Sequence, residues 1–489
     1  MSQLKSLAGQ TAIYGVSSIL GRLINYALVP LHTIVFARGE LGIVTNLYAY
    51  TAIFMIIYTF GMETAYFRFV KKNPLNAFQL TSSAVIVIST LFSVFIFIFS
   101  DSLAYLIKYP DTALYIRWLA IILWIDSFLA IPFAKLRHEN KARKFATAKI
   151  INILLNIVLQ VVLLLLLPII QQSFAPDTEP WNIGIGFIFL SNLIANASLI
   201  IILFSEIKLI RLRFNWDEFK PILFYAFPIF LMGLAGMLNE QLDKILLEYM
   251  LPDTFYNDMN STEAVGVYGQ LLKLGIFMML AIQAFRYAGE PFFFSKAEDK
   301  NAPELFAKVM HYFVISGLLL FVLVSINVDL IAFIFLRSPE YRVALYLVPL
   351  LLFGKLLYGV YLNLSIWFKL TDKTKFGTYF SILGVIIMIA ANVLLIPIIG
   401  LIGCAISIII CYAIMSLACY LYGQKYFPVP YKFQKLIPYL AISLTIVYFF
   451  FTWHISNFVL ESIIRIAFSA IILIFLIWFE KKNLATKTF

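Results

Sequence analysis

Two cations lie where long apolar segments leave them no easy route to water. Arg22 falls near the middle of TAIYGVSSILGRLINYALVPLHTIVF, residues 11–36, and Lys355 near the middle of YLVPLLLFGKLLYGVYLNLSIWF. About 26 helical residues span roughly 39 Å, more than a hydrocarbon core of about 30 Å, so both charges sit near mid-bilayer. A cation at that depth costs at least about 2.5–3.5 kcal/mol unless it faces a polar cavity or a partner. Neither residue has a carboxylate on its own segment. The asymmetry points to a pathway for something negatively charged, with a structural pairing to a neighbouring helix as the alternative reading.

Other intramembrane charges extend the set. Lys273 and Arg286 are further candidates for binding an anionic substrate, while Glu63, Asp126, Glu240, Asp243 and Glu290 are ion-coupling or structural carboxylates. Glu240 with Lys244, and Arg286 with Glu290, have the i,i+4 spacing of local ion pairs. Arg117 and Arg465 fall close to segment ends and read as interfacial. Amides recur at helical spacing: Asn25 one turn beyond Arg22, Asn152, Asn156 and Gln160 on one face, Asn192 and Asn196 on another. Such amides donate and accept together, so Asn25, Asn152 and Asn156 could hold sugar hydroxyls; equally, amides serve as interhelical glue.

The elements that must position these groups are transmembrane helices. Of 489 residues 62% are hydrophobic, 17% aromatic and only 13% charged, about half the charged share of a soluble protein. Fourteen segments are long enough to span, near 9–36, 42–69, 79–100, 112–134, 146–170, 182–205, 219–248, 265–294, 305–335, 341–368, 376–397, 399–423, 436–453 and 458–479. The division at Pro397–Gly400 is the tightest. With the N-terminus inside, inward loops carry about 26 basic residues and outward ones about 4, Arg38, Lys108, Arg337 and Arg342. Both ends are therefore expected in the cytoplasm. The outward loops, the longest around Gln171–Pro180 and Leu251–Glu263, have no room for a domain. Pro30, Pro132, Pro228, Pro291 and Pro349 interrupt spans and would permit bends.

A repeat is faintly visible. LGIVTNLYAYTAIFM at 41–55 resembles VGVYGQLLKLGIFMM at 265–279, and Gly61-Met62-Glu63 finds an echo in Ala288-Gly289-Glu290. The spacing implies two parallel six-helix lobes around a central cavity, 1–212 and 213–425, followed by a terminal helix pair at 430–489. The first apolar stretch is too long for a cleavable signal peptide. Cys404, Cys411 and Cys419 share one segment and read as packing residues. No P-loop, HExxH or Cys/His cluster is present, so neither ATP hydrolysis of that kind nor a metal or other cofactor is expected. The net charge of +11 sits in short loops and reflects topology and anionic lipid, with no sign of a nucleic-acid partner.

The chain resembles the polysaccharide-type lipid-oligosaccharide flippases of the multidrug/oligosaccharidyl-lipid/polysaccharide exporter superfamily. The likeness runs through SLAGQTAIYGVSSILGRLINYALVPLHTIVF, LGIVTNLYAY, the Gly21-Arg22 step and the Phe60-Gly61-Met62-Glu63 end of the second segment. It implies a non-enzymatic, alternating-access flippase that moves an undecaprenyl-pyrophosphate-linked repeat unit of an O-antigen, capsule or exopolysaccharide across a bacterial inner membrane. Membrane lipids, a polysaccharide polymerase and glycosyltransferases are the implied partners. Arg22 matches a basic first-helix position of the related peptidoglycan-precursor flippases. Leu28 and Val29 stand where those carry an Arg-Asp step, which disfavours that substrate. A drug or cation antiporter of the same superfamily is the rival, although the first segment lacks the acid such chemistry needs. A membrane polymerase or ligase would need a large outward loop to carry its catalytic residues.

Overall fold

The computed structural model describes residues 24, 26–71, 73–174, 183–453 and 455–485, and every regular element among them is a helix. Helices satisfy each backbone group within the segment, which hydrocarbon demands. Leaving out several short helical segments, in chain order they are α1 (Leu28–Val35), α2 (Arg38–Thr59), α3 (Met62–Phe69), α4 (Pro74–Ile98), α5 (Ala113–His138), α6 (Ala142–Val161), α7 (Gly186–Ile202), α8 (Trp216–Met250) and α9 (Ser261–Leu274). They continue as α10 (Ile276–Lys296), α11 (Ala302–Ile326), α12 (Val328–Phe335), α13 (Leu347–Leu364), α14 (Ile366–Leu370), α15 (Lys375–Ile399), α16 (Leu401–Tyr426), α17 (Ile437–Thr452) and α18 (Phe458–Ala485).

Among the described residues ten stretches are long and apolar enough to cross a membrane, and α9 with α10, bent by 46° about Gly275, makes an eleventh. Fourteen were expected. The first expected segment lies outside the described residues except for its end, which includes α1. The sixth is α7, at 17 residues short for a span, and the last is α18, 28 residues long with side chains described only as far as Ile474.

The chain forms two compact units, one of residues 1–269 and 374–407, the other of 270–373 and 408–489. In the first, α8 packs along α2 and α15, α4 along α5, and α7 against α5 and α6. The expected second segment is broken. Phe60 (φ 47°) and Gly61 (φ 69°) both take the left-handed conformation, ending α2 before α3 restarts. A Cβ on Gly61 would lie 2.9 Å from the Ala226 carbonyl of α8, so only glycine allows this approach. Met62, Ala65 and Tyr66 of α3 then join Phe78, Ile131, Phe219 and Ala226 in one core.

Near their N-terminal ends α2 and α9 cross at backbone contact. A Cβ on Gly42 would sit 2.0 Å from the Thr262 carbonyl oxygen, and one on Gly266 2.0 Å from that of Arg38. Gly42 and Gly266 are equivalent in the repeat, as are Arg38 and Thr262, so the crossing is pseudo-symmetric. Arg38 adds a 2.7 Å bond to the Asp258 carbonyl, and Thr262 Oγ1 donates to Glu248 at 2.7 Å. The Pro397–Gly400 division holds: Gly400 (φ 59°) ends α15, and Leu401 N donates to Tyr256 Oη at 3.1 Å.

In the second unit α11 packs against α10, α13 and α17. Arg465 of α18, read as lying close to its segment's end, is turned into the protein. It is 4% exposed, donates to Asp329 Oδ2 at 2.5 Å and to the Ile326 and Phe450 carbonyls at 3.1 Å each, and pairs with Glu461. The acid that draws it inward, Asp329, comes from α12, far away in sequence. Arg117 stays near the surface, paired with Asp101 at 2.7 Å. The three cysteines are buried along α16 and unbridged.

Candidate functional site

Arg22 and Asn25 lie outside the described residues. The remaining expected groups, Glu63 apart, fall into three places, each within one unit.

The first is a strip of amides along α6 and α7 in the first unit. His32 Nε2 meets Gln160 Oε1 at 2.6 Å, and Gln160 Nε2 donates to Asn156 Oδ1 at 3.1 Å. Asn152 Nδ2 donates to Asn196 Oδ1 at 2.9 Å, and Asn192 Nδ2 to Tyr48 Oη at 3.0 Å. The i,i+4 spacing puts these amides on facing stripes, where they tie helices together. Asp126 of α5 has Asn196 and Lys149 as polar neighbours, and Lys149 Nζ lies 4.2 Å from the centre of the Phe133 ring. Asp126 and Lys149 thus bring charge to the edge of the strip. Each amide keeps unused donor or acceptor capacity for a hydroxyl-rich ligand.

The second place is on α8. Tyr268 Oη donates to Asp243 Oδ2 at 2.7 Å, and Lys244 N and Nζ lie 2.9 and 3.3 Å from Asp243 Oδ1. The expected Glu240–Lys244 side-chain pair is corrected: Lys244 Nζ takes the Glu240 carbonyl at 2.8 Å and Glu240 itself points outward, exposed. The buried carboxylate next door, with a side chain only 3% exposed, is the stronger partner for an ammonium. Asn239, one turn away, donates to the Ser381 carbonyl of α15 at 3.0 Å. Glu63 belongs to neither place. The break at Gly61 leaves it in the first turn of α3, 42% exposed and paired with Arg137.

The third place is the set of cations of the second unit. Lys355 is half-buried in the middle of α13 and has no ion pair or hydrogen bond among the described residues. Lys273, at the end of α9 beside the bend, donates to the buried Gln270 Oε1 at 2.9 Å and has no carboxylate partner there. Arg286 lies 3.8 Å from Glu290, as its spacing foretold, but Glu290 bonds more closely to Lys369 of α14, at 2.6 Å. Lys369 and the neighbouring Asn363 were not singled out in the sequence. Lys369 reads there as one more loop cation, and only Glu290, an acid with basic residues close by in the fold, signals otherwise.

The arrangement can therefore present positive charge inside one unit and hydrogen-bonding amides inside the other. The fold is shared with known transporters. The chain superposes on the lipid II flippase MurJ in its inward closed conformation with a TM-score of 0.70 at 16% identity, over 96% of this chain and 99% of that one. It superposes on an inward-facing multidrug resistance MATE family transporter of the MOP superfamily with a TM-score of 0.62 at 14% identity, over 85% and 94% of the two chains. An outward-facing MATE family transporter gives 0.58 at 14% identity over the same shares. No curated protein matches the chain by sequence. A family model described as polysaccharide biosynthesis protein matches residues 36–283, about half of the chain. This all-helical, multi-pass membrane protein thus belongs to the polysaccharide biosynthesis protein family.

Proposed function

We propose that the protein flips an undecaprenyl-pyrophosphate-linked oligosaccharide repeat unit, of an O-antigen, capsule or exopolysaccharide, from the cytoplasmic to the outer leaflet of a bacterial inner membrane by alternating access. The observation that carries this reading is Lys355, an intramembrane ammonium with no counter-charge among the described residues. Such a group is costly in hydrocarbon and is retained where an anion passes. Arg22, Lys273 and Arg286 would share the pyrophosphate, and Asn25, Asn152 and Asn156 the sugar hydroxyls. The lipid tail would stay in the bilayer. Two parallel six-helix lobes, 1–212 and 213–425, would rock about the substrate, with the terminal pair at 430–489 and both chain ends cytoplasmic. Glycosyltransferases would act before transport and the polymerase after it, and no bond is made or broken by this chain.

A second reading, drug or cation antiport, is favoured by Asp126 beside Asn196, since an intramembrane carboxylate can hold a proton or metal cation. A peptidoglycan precursor is a third, supported by the fold shared with MurJ. Purified protein in proteoliposomes should move a pyrophosphate-linked oligosaccharide without ATP, and Lys355→Ala should abolish that movement. Transport of an organic cation in place of the glycan would select the second reading. A strict preference for peptidoglycan precursor would select the third.

A further inference from the structure

Three donor groups converge in a small cavity of the second unit. Glu290 Oε1 of α10 accepts from Lys369 Nζ at 2.6 Å and lies 3.8 Å from Arg286 Nε, one turn back on the same helix. Both cations are aimed at one carboxylate oxygen. Asn363 of α13 lines the same cavity and is 2% exposed, and its Nδ2 is shut off from solvent with no hydrogen-bond partner among the described residues. A buried donor left unmade costs about 1–3 kcal/mol, a cost recovered once an acceptor arrives. Phe285, Phe293 and Ile366 add an apolar wall on one side.

The ion pairs are weak enough to exchange. The side chains of Arg286, Glu290 and Lys369 are 49%, 38% and 34% exposed, a range in which such a pair contributes about 0–1 kcal/mol. Asn363, in contrast, is held in the core. A phosphoryl oxygen accepts from the same donors as a carboxylate oxygen, and more of them, so it can displace Glu290 and also reach the unused amide.

We infer that Arg286, Lys369 and Asn363 form a phosphate subsite in which the Glu290 carboxylate is an internal stand-in, displaced when a phosphoryl group arrives. The ligand class rests on the flippase reading: a pyrophosphate diester carries one acidic oxygen on each phosphorus, matching the two cations once Glu290 withdraws. On the expected topology Arg286 lies in the inner third of its span and Lys369 at the inner end of its own. The subsite therefore receives the headgroup at the cytoplasmic mouth, before it reaches Lys355.

The test is binding of radiolabelled inorganic pyrophosphate to the purified full-length protein in phosphatidylcholine nanodiscs. Lys369→Met and Asn363→Leu should each weaken binding roughly tenfold, the loss of one charge-assisted contact. Glu290→Gln should tighten binding, because the competitor is gone. Asn363→Leu should also raise the unfolding temperature, since it removes an unpaired amide; that rise shows the variant is folded and separates binding from packing. Unchanged affinity in Lys369→Met and Asn363→Leu, or weaker binding in Glu290→Gln, overturns the subsite. Phosphatidylglycerol nanodiscs separate the two sources of phosphate. Retained pyrophosphate affinity there is expected, whereas its loss in the wild type would assign the pocket to bulk lipid and overturn the proposal. Pyrophosphate binding that depends on these residues, in a protein that moves no glycan, would instead overturn the flippase reading and leave the subsite standing.

Discussion

Gly42 and Gly266 face each other across the crossing of α2 and α9, and a methyl group on either would collide with the other helix's backbone at 2.0 Å. The two positions are equivalent in the internal repeat, so the same contact is made twice about one pseudo-axis. On the expected topology this crossing lies at the outer end of both spans. The colliding atom is a main-chain carbonyl in each case, so no rotamer change can relieve it. Gly42→Val or Gly266→Val should therefore force the helices apart and destabilise the protein by about 1–3 kcal/mol, the usual range for overpacking. Thermal unfolding of each variant in detergent measures it; an unchanged midpoint in both would contradict the contact.

Lys355 and Arg465 make opposite predictions. Arg465 is consumed by two carboxylates and three carbonyls, and removing it leaves Asp329 and Glu461 without their shared cation. Arg465→Met should cost about 3–5 kcal/mol and lower expression, and Arg465→Lys should recover only part, because an ammonium cannot reach all five acceptors.

Lys355, without a counter-charge among the described residues, should behave the other way. Lys355→Met removes an unpaired intramembrane charge, so the unfolding midpoint should rise while glycan export is lost. A fall in stability would mean that the ammonium is a structural partner and would remove it from the transport path.

A pH effect is expected at the loop end of α7. Glu206, just past it, has a side chain 5% exposed; burial pushes its carboxyl up, but the bonds from Lys144 at 2.6 Å and Ser205 outweigh this and hold it below its ordinary value of 4.5. A lowered folded-state value means that the pair's contribution is fully present above pH 4.5 and is lost as pH falls through that lower value. The difference in unfolding midpoint between wild type and Lys144→Met should therefore be large at neutral pH and shrink below pH 4.5. A difference that does not vary with pH would exclude the ion pair as its cause.

The sequence reports these features unevenly, for physical reasons. Lys355 was legible because its isolation is a property of its own apolar segment, and the Pro397–Gly400 turn because only local backbone chemistry is involved. Phe60–Gly61 was not legible as a break: nothing in Phe60 favours a left-handed conformation, and the close approach of the α8 backbone to Gly61 is a tertiary contact. Glu63 is an intramembrane acid by its segment alone, and its pairing with Arg137 of α5 is visible only in the fold. The partners of Arg465 were not legible, because its second acid, Asp329, comes from α12, far away in sequence. Asn363 gave no signal at all, since an amide in an apolar run is ordinary until its neighbours are seen to leave it unpartnered.

The Arg465 cluster has one more consequence, for any attempt to shorten the chain. Asp329, the Ile326 carbonyl and the Asn327 amide, which donates to Ser469 at 2.8 Å, all look to α18 for their partners. A protein ending before α17 would leave this patch of α11 and α12 bare toward lipid, so the terminal pair is an integral wall of its unit and no removable appendage.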